Sequence, residues 1–394
     1  MAVYVPNPDS PIPAADVIDD LGAFLAGVYM DAEQRMLEQA ARHAYRVVAL
    51  EQGLGDLDGA RRQRRLYDLA MERMRALSNL GQTAQEVVKD LREQNLAEWI
   101  LDVAATEGEA AAASRLKGTR YAATAVSSSA ADAVGALSLS LSSRLEALEQ
   151  RILRYPQDVY QQTIAETAPF RLLGVDTGLI NQQRAVQRFL DQGIDGFVDV
   201  SGRRWTIGAY SEMAGRTAAA RAWNDAGVAR MQSSGLNLVT IQGGFDACRK
   251  CAPWIGRILS TDGFTGTAVY GHATRDEAVT VMVTGTVDQA RAAGWNHPNC
   301  RDKITAYLPG LSVPQEGFEY NPDAEAEREK QRALEREVRA SKRRQATAPD
   351  DLSRAKAARE VRDAQADLRE FTKKTGRKRL AYREHLAFAD GRGT

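Results

Sequence analysis

The sequence predicts a mainly α-helical chain with a central α+β module, an elongated helical region before it and a charged helical tail after it. Two observations carry this. Apolar residues recur at i, i+3/i+4 and i+7 through most of residues 16–165 and again beyond about 322, the period of a helix with one buried stripe. Between about 170 and 310, glycines and aromatics become more frequent and short β-like runs appear. Composition agrees. Aromatics are only 7% of the chain, so packing rests on Ala, Leu and Val, and Ala and Leu lose little freedom in a helix. At 394 residues, against roughly 100–200 per domain, two or three domains are expected.

The first expected unit, residues 1–15, is an extended arm, because Pro6, Pro8, Pro11 and Pro13 fix φ and remove backbone donors. Residues 16–168 follow as a helical region. Leu21, Leu25, Val28, Ala32 and Met36 share one face, and Leu66, Ala70, Met74 and Leu77 repeat the spacing. So do Val134, Leu137, Leu141, Leu145, Leu148 and Ile152. Gly53, Gly55, Gly81 and Gly118 punctuate the region, and the Ser/Ala-rich stretch 127–143 gives weak helix signals that predict fraying. The stripes predict core packing among antiparallel helices, with partner contact as the alternative for any stripe left uncovered.

The α+β module spans residues 169–312. Its strand candidates are 196–200, 238–241 and 278–283. Between the first two, a helix is predicted from about Thr206, an acceptable N-cap, to Ser234, with Gly235 as its stop. Pro309-Gly310 closes the module. Residues 313–394 form the tail, helical from about 322. Leu334 and Val338 make one short apolar edge, and Val361, Leu368 and Phe371 make another after the break at Ala348-Pro349-Asp350. Stripes this narrow among mixed charges predict helices docked on something else, or a coiled-coil seam too short to stand alone.

The 52 basic and 52 acidic residues cancel, so no global field draws in nucleic acid or an anionic membrane. The tail is locally basic, with 20 Lys/Arg against 14 Asp/Glu in residues 321–394. Lys373, Lys374, Arg377, Lys378 and Arg379 form a cluster that can meet phosphate or simply be a solvated helix face. No apolar run approaches the ~20 residues of a membrane helix, and no secretory signal is expected. Three cysteines over so long a chain do not suggest a disulfide framework and fit a reducing cytoplasm.

Those cysteines carry the one constellation with evident chemistry. Cys248-Arg249-Lys250-Cys251 is a CxxC, and His297-Pro298-Asn299-Cys300 is an HxxC. Two residues between ligands let one turn present both side chains to a tetrahedral ion. Zn²⁺ accepts sulfur and nitrogen at ~2.0–2.3 Å, and Cys₃His is a closed structural set. Zinc at Cys248, Cys251, His297 and Cys300 would knit two distant loops and stabilise the middle domain. Three other readings remain open: buried thiols with a hydrogen-bonded histidine, a redox CxxC, and a nucleophilic Cys300 with His272 or His297. The redox reading lacks a βαβ frame, since Pro253 and Trp254 follow the pair. The nucleophile lacks an oxyanion-type glycine loop. Asp199 with Glu212 is a weak acid/base candidate; His43 and His385 read as surface or packing residues. No catalytic residue is expected, and there is no Walker A, no GxGxxG opening a βαβ unit and no HExxH.

Several runs together suggest a family. These are Gly193–Asp199 followed by Gly202-Arg203-Arg204-Trp205, and Tyr210–Thr217. Then come Gly235–Val239 leading into Cys248-x-x-Cys251-x-x-Trp254-x-Gly256-Arg257-Ile258, and Ala290–Arg301 with Tyr307-Leu308-Pro309-Gly310. The last is Gln331–Arg339. In this order they resemble the phage minor capsid protein 2 family, and the Mu-type head-morphogenesis domain with its Cys pair and HPNCR element. The resemblance covers about 190–345 and, more loosely, the N-terminal helices. It implies a structural virion protein of the phage head, assembled in the host cytoplasm, near the portal or inner shell. The implied partners are portal protein, major capsid protein or further copies of the chain. Relatives often carry His or Cys where Asp302 stands, so Asp302 is a possible replacement ligand. Two other readings accompany it: a nucleic-acid-binding virion protein acting through the basic tail, and a toxin or transferase module delivered with the particle.

Overall fold

A computed structural model describes residues 14–51, 57–122, 129–172, 194–198, 202, 204–317, 319–348 and 350–384. Residues 1–13 of the Pro-rich arm, Gly53, Gly55, Asp199 and His385 lie outside them, while Ala14 and Ala15, expected in the arm, are already helical. Helices dominate: α1 (Ala14–Glu51), α2 (Gly59–Glu93), α3 (Leu96–Leu116) and α4 (Ser129–Leu172) come first. A small β region then surrounds α5 (Ile207–Ser233) and the short α6 (Val287–Ala292), and α7 (Pro322–Ala346) and α8 (Asp351–Thr375) follow. The mainly helical class with a small sheet region is therefore what the chain adopts. Among the described residues, no helix is long and apolar enough to cross a membrane.

The chain divides into two compact units, each assembled from separated segments. The first draws on residues Met1–Ala23, Leu96–Arg144 and Glu212–Glu329. Its centre is a four-stranded sheet in the order β7-β4-β3-β8, built from β3 (Leu238–Gln242), β4 (Ile258–Ser260), β7 (Gly285–Thr286) and β8 (Lys303–Ala306). β3 pairs antiparallel with β4 and with β8, the latter from Val239 opposite Ala306 to Gln242 opposite Lys303. A hairpin of β5 (Gly266–Gly271) and β6 (Ala278–Val283) adds Val281 and Val283 to the same core, with Leu116 of α3 and Met231 of α5.

α5 follows the predicted punctuation closely. The Thr206 hydroxyl accepts from the Ala209 N–H at 3.3 Å as an N-cap. Gly235, at φ +78°, ends the helix while the Leu236 N–H reaches back to the Met231 carbonyl at 3.0 Å. α3 crosses α5 at two glycines. A Cβ on Gly108 would collide with the Trp223 carbonyl, and one on Gly227 would press on Gly108. Backbones this close need residues without side chains.

The second unit draws on residues Phe24–Asn95, Leu145–Ser211 and Lys330–Thr394. Here the α1 stripe is buried as predicted at Leu25, Val28, Ala32 and Met36, and α4 buries Leu145, Leu148 and Ile152. Arg92 donates to Glu149 at 2.7 Å, and burial pushes the neighbouring Tyr29 phenol up. His43 is a packing residue, its Nδ1 3.1 Å from the Glu72 carboxylate. Glu33 accepts from the Ile194 N–H at 2.8 Å, beside the ribbon of β1 (Asp195–Val198) and β2 (Arg204–Thr206).

Four expectations are corrected. The α2 stripe is not buried: Leu66 and Met74 are 47% and 60% exposed, Ala70 is exposed, and Leu69 alone is buried before Leu80. Hydrophobic spacing says which residues share a face, not whether another element covers it. Gly81 does not punctuate; α2 runs straight through it. The Ser/Ala-rich stretch is helical from Ser129 onward. The tail seams close on each other, with Val338 of α7 packed on Ala364 and Leu368 of α8. Asp350 caps α8 by accepting from the Ser353 N–H at 2.7 Å.

The two kinds of helical glycine give opposite expectations. Gly81→Ala, which meets nothing within 4 Å, should stabilise the protein by about 0.5–1 kcal/mol. Gly108→Ala should instead destabilise it by about 1–3 kcal/mol through overpacking. Urea unfolding of both variants checks the pair; equal shifts would contradict the close crossing.

Candidate metal centre

The CxxC lies between β3 and β4. After β3, Gly243 and Gly244 lead into a tight turn in which the Cys251 and Ala252 N–H groups both bond to the Cys248 carbonyl at 3.0 Å. One turn therefore presents both thiols to the same side. A 3₁₀ turn, Ala252–Trp254, then returns the chain to β4.

The HxxC lies between α6 and β8. Thr286 and Gln289 form a reciprocal capping box at the start of α6. Gly294, at φ +97°, ends that helix, and Trp295 turns into the core, 2% exposed. Asn296 and Asn299 take the left-handed conformation at φ 60° and 66°, a role asparagine fills more readily than most residues. The Cys300 N–H bonds to the His297 carbonyl at 2.9 Å, making a second ligand turn.

These turns meet. Cys248 Sγ is 3.0 Å from His297 Nε2, and Cys251 Sγ is 3.6 Å from Cys300 Sγ. At 3.6 Å the sulfurs are unbonded thiols, far beyond the ~2.05 Å of a disulfide. Zn–S bonds of ~2.3 Å place two tetrahedral sulfur ligands about 3.8 Å apart, close to this separation. Donor atoms fall within 4.8 Å of one another in two triads, Cys248-Cys251-His297 and Cys251-Cys300-Asp302. All four sequence candidates and Asp302 thus form one cluster around Cys251 that can hold a metal ion.

Electrostatics of the cluster follow from burial. Cys251 and Cys300 are 2% and 4% exposed, while Cys248 and His297 sit nearer the surface. The contact with Cys300, then burial, pushes the Cys251 thiol up. Burial also raises the Asp302 carboxyl, against thiol contacts from Cys251 and Cys300 that lower it. A cation would offset both costs.

The frame around the cluster is polar. Arg216 of α5, 3% exposed, pairs through Nε with Asp19 at 2.9 Å, through Nη2 with Glu212, and donates to Asn299 Oδ1 at 3.2 Å. Asp19 also pairs with Arg301 at 3.5 Å. Thr217 Oγ1 accepts from the Asn299 N–H at 3.1 Å. Asn224, fully buried, accepts from the Ile304 N–H at 2.8 Å and donates to the Asp302 carbonyl at 3.5 Å. Two helix residues therefore grip the HxxC loop between its ligands, and a third grips the chain just beyond it. A Cβ on Gly243 would strike Asp302 Oδ1 and Ile255.

Other candidates fall away from the cluster. His272 Nδ1 accepts from the Thr274 and Arg275 N–H groups at 3.2 Å, so this histidine organises the turn after β5. Glu212 is engaged by Arg216. Sequence reasoning gave Arg216 and Asn224 no role. One signal was present: Arg216 shares its helical face with Ala219, Ala220 and Trp223, all buried, and an arginine on an apolar face must be paired.

The family model described as phage minor capsid protein 2 matches residues 18–373. The chain belongs to this family. Membership makes it a structural protein of the phage head. No curated protein and no solved structure matches it significantly.

Removing the buried cation should be costly even without metal. Arg216→Leu removes the buried cation that faces the Asp19 and Glu212 carboxylates, at about 3–5 kcal/mol. Urea unfolding in excess chelator measures it; a loss below about 1 kcal/mol would mean that Arg216 does not organise the loop.

Proposed function

We propose that this chain is a structural component at or near the portal or the inner shell, whose α+β module, residues 169–312, is made rigid by zinc held by Cys248, Cys251, His297 and Cys300. The observation that supports this best is the meeting of three thiols and an imidazole from two loops in two donor triads that share Cys251. The donor set suits Zn²⁺, which takes sulfur and nitrogen in tetrahedral arrays. Bound there, zinc would supply a crosslink between the loops. The residues do the rest: Cys251 and Cys300 exclude water from the inner side, and Arg216, Thr217 and Asn224 hold the second loop in place. Four protein ligands leave no position for a substrate, so the site acts in stability and not turnover.

Partners in this reading are the portal protein, the major capsid protein or further copies of the chain, met through helix faces during head assembly. The tail cluster is less available to DNA than its sequence implies. Arg377 donates to Gln331 at 2.9 Å, and Arg379 forms a two-point pair with Glu384 at 2.5 Å. Lys373, Lys374 and Lys378 are the exposed members of the cluster.

Elemental analysis of freshly reduced protein should find about one zinc per chain, lost in Cys251→Ser. Cobalt substitution should give the intense visible bands of a tetrahedral thiolate site. Absence of bound metal in the wild type would remove the zinc reading and leave the cluster as buried thiols.

A further inference from the structure

We propose that the exposed arginine-rich start of α2 binds the phosphate backbone of duplex DNA. Arg61, Arg62, Arg64 and Arg65 occupy four of five consecutive positions, and at 100° per residue they spread over roughly half of the helix circumference. Arg61, Arg62 and Arg64 are exposed and Arg65 half-buried. Arg61 has a loose partner in the capping residue Asp58, at 3.6 Å. Among the described residues, Arg62, Arg64 and Arg65 have no ion-pair partner.

Neither packing nor helix formation explains this placement. The first turn of α2 carries no acidic residue, and arginines there oppose the helix dipole and repel one another. The neighbouring Leu66, Tyr67 and Met74 stay exposed, so no core residue is being shielded. Four guanidinium groups that cost stability where they stand are matched by a partner with closely spaced negative charges. Arginine forks fit phosphate oxygens in two-point contacts, and such a set can follow a phosphate run without reading sequence. A second copy of the helix is a poor partner. Antiparallel pairing about Ala70 would set Arg65 against Arg75 and Asp68 against Glu72.

The test is fluorescence anisotropy of full-length protein on a short duplex of random sequence, titrated with salt. With Arg61, Arg62, Arg64 and Arg65 all changed to Gln, the slope of log affinity against log salt should fall by about 3–4, at ~0.9 per phosphate contact. Affinity at ~0.1 M salt should drop at least tenfold. The melting temperature should hold or rise, which a merely structural role would not allow. Should that variant lose helix, Arg62→Gln/Arg64→Gln alone is expected to lower the slope by about 2. Lys373→Gln/Lys374→Gln/Lys378→Gln should change affinity by less than about twofold, since these tail lysines lie outside the proposed contact. An unchanged slope in the arginine variants, loss in the tail variant instead, or tighter binding of polyglutamate than of DNA would each overturn the proposal. None of these results depends on zinc.

Discussion

β3 sits between β4 and β8, and its register against β8 brings Gln242 opposite Lys303. One strand ends where the other begins. The CxxC leaves the end of β3, and the HxxC runs into the start of β8, so the pairing sets two loops side by side that are 49 residues apart in sequence. The ligand cluster, the burial of Cys251 and Cys300, and the orientation of Asp302 all follow from that register. A slip of one residue would turn Ile304 and Ala306 out of the core and carry Cys300 away from Cys251.

Metal and frame contribute differently. Hydrogen bonds with Thr217, Arg216 and Asn224 shape the second loop. What remains unfavourable in their absence of an ion is the crowding of buried thiols and a buried carboxyl around Cys251. A divalent cation bound there would relieve that crowding, and its binding free energy would then become folding free energy. Such a division would suit a structural protein of the phage head.

Much of this was legible in the sequence because it rests on short-range rules. Thr206 and Gly235 mark the ends of α5, the strands expected at 238–241 and 278–283 stand out from β-branched runs, and the two x₂-spaced Cys/His pairs are groups that the fold brings together. What was not legible depends on partners far away in sequence. Asp19 meets Arg216 and Asn224 meets Ile304 only after folding. The uncovered stripe of α2 was misread for the same reason, since periodicity carries no information about the neighbour. Tail residues Arg377 and Arg379 looked like a free basic patch until Gln331 and Glu384 came beside them.

The most direct measurement of the central claim is X-ray absorption at the zinc edge on purified protein. The account predicts a shell of three sulfurs at ~2.3 Å and one light atom at ~2.0 Å, with imidazole outer-shell scattering from His297. A shell of nitrogen and oxygen only would contradict it. A three-sulfur shell without imidazole scattering would give the fourth position to Asp302 in place of His297.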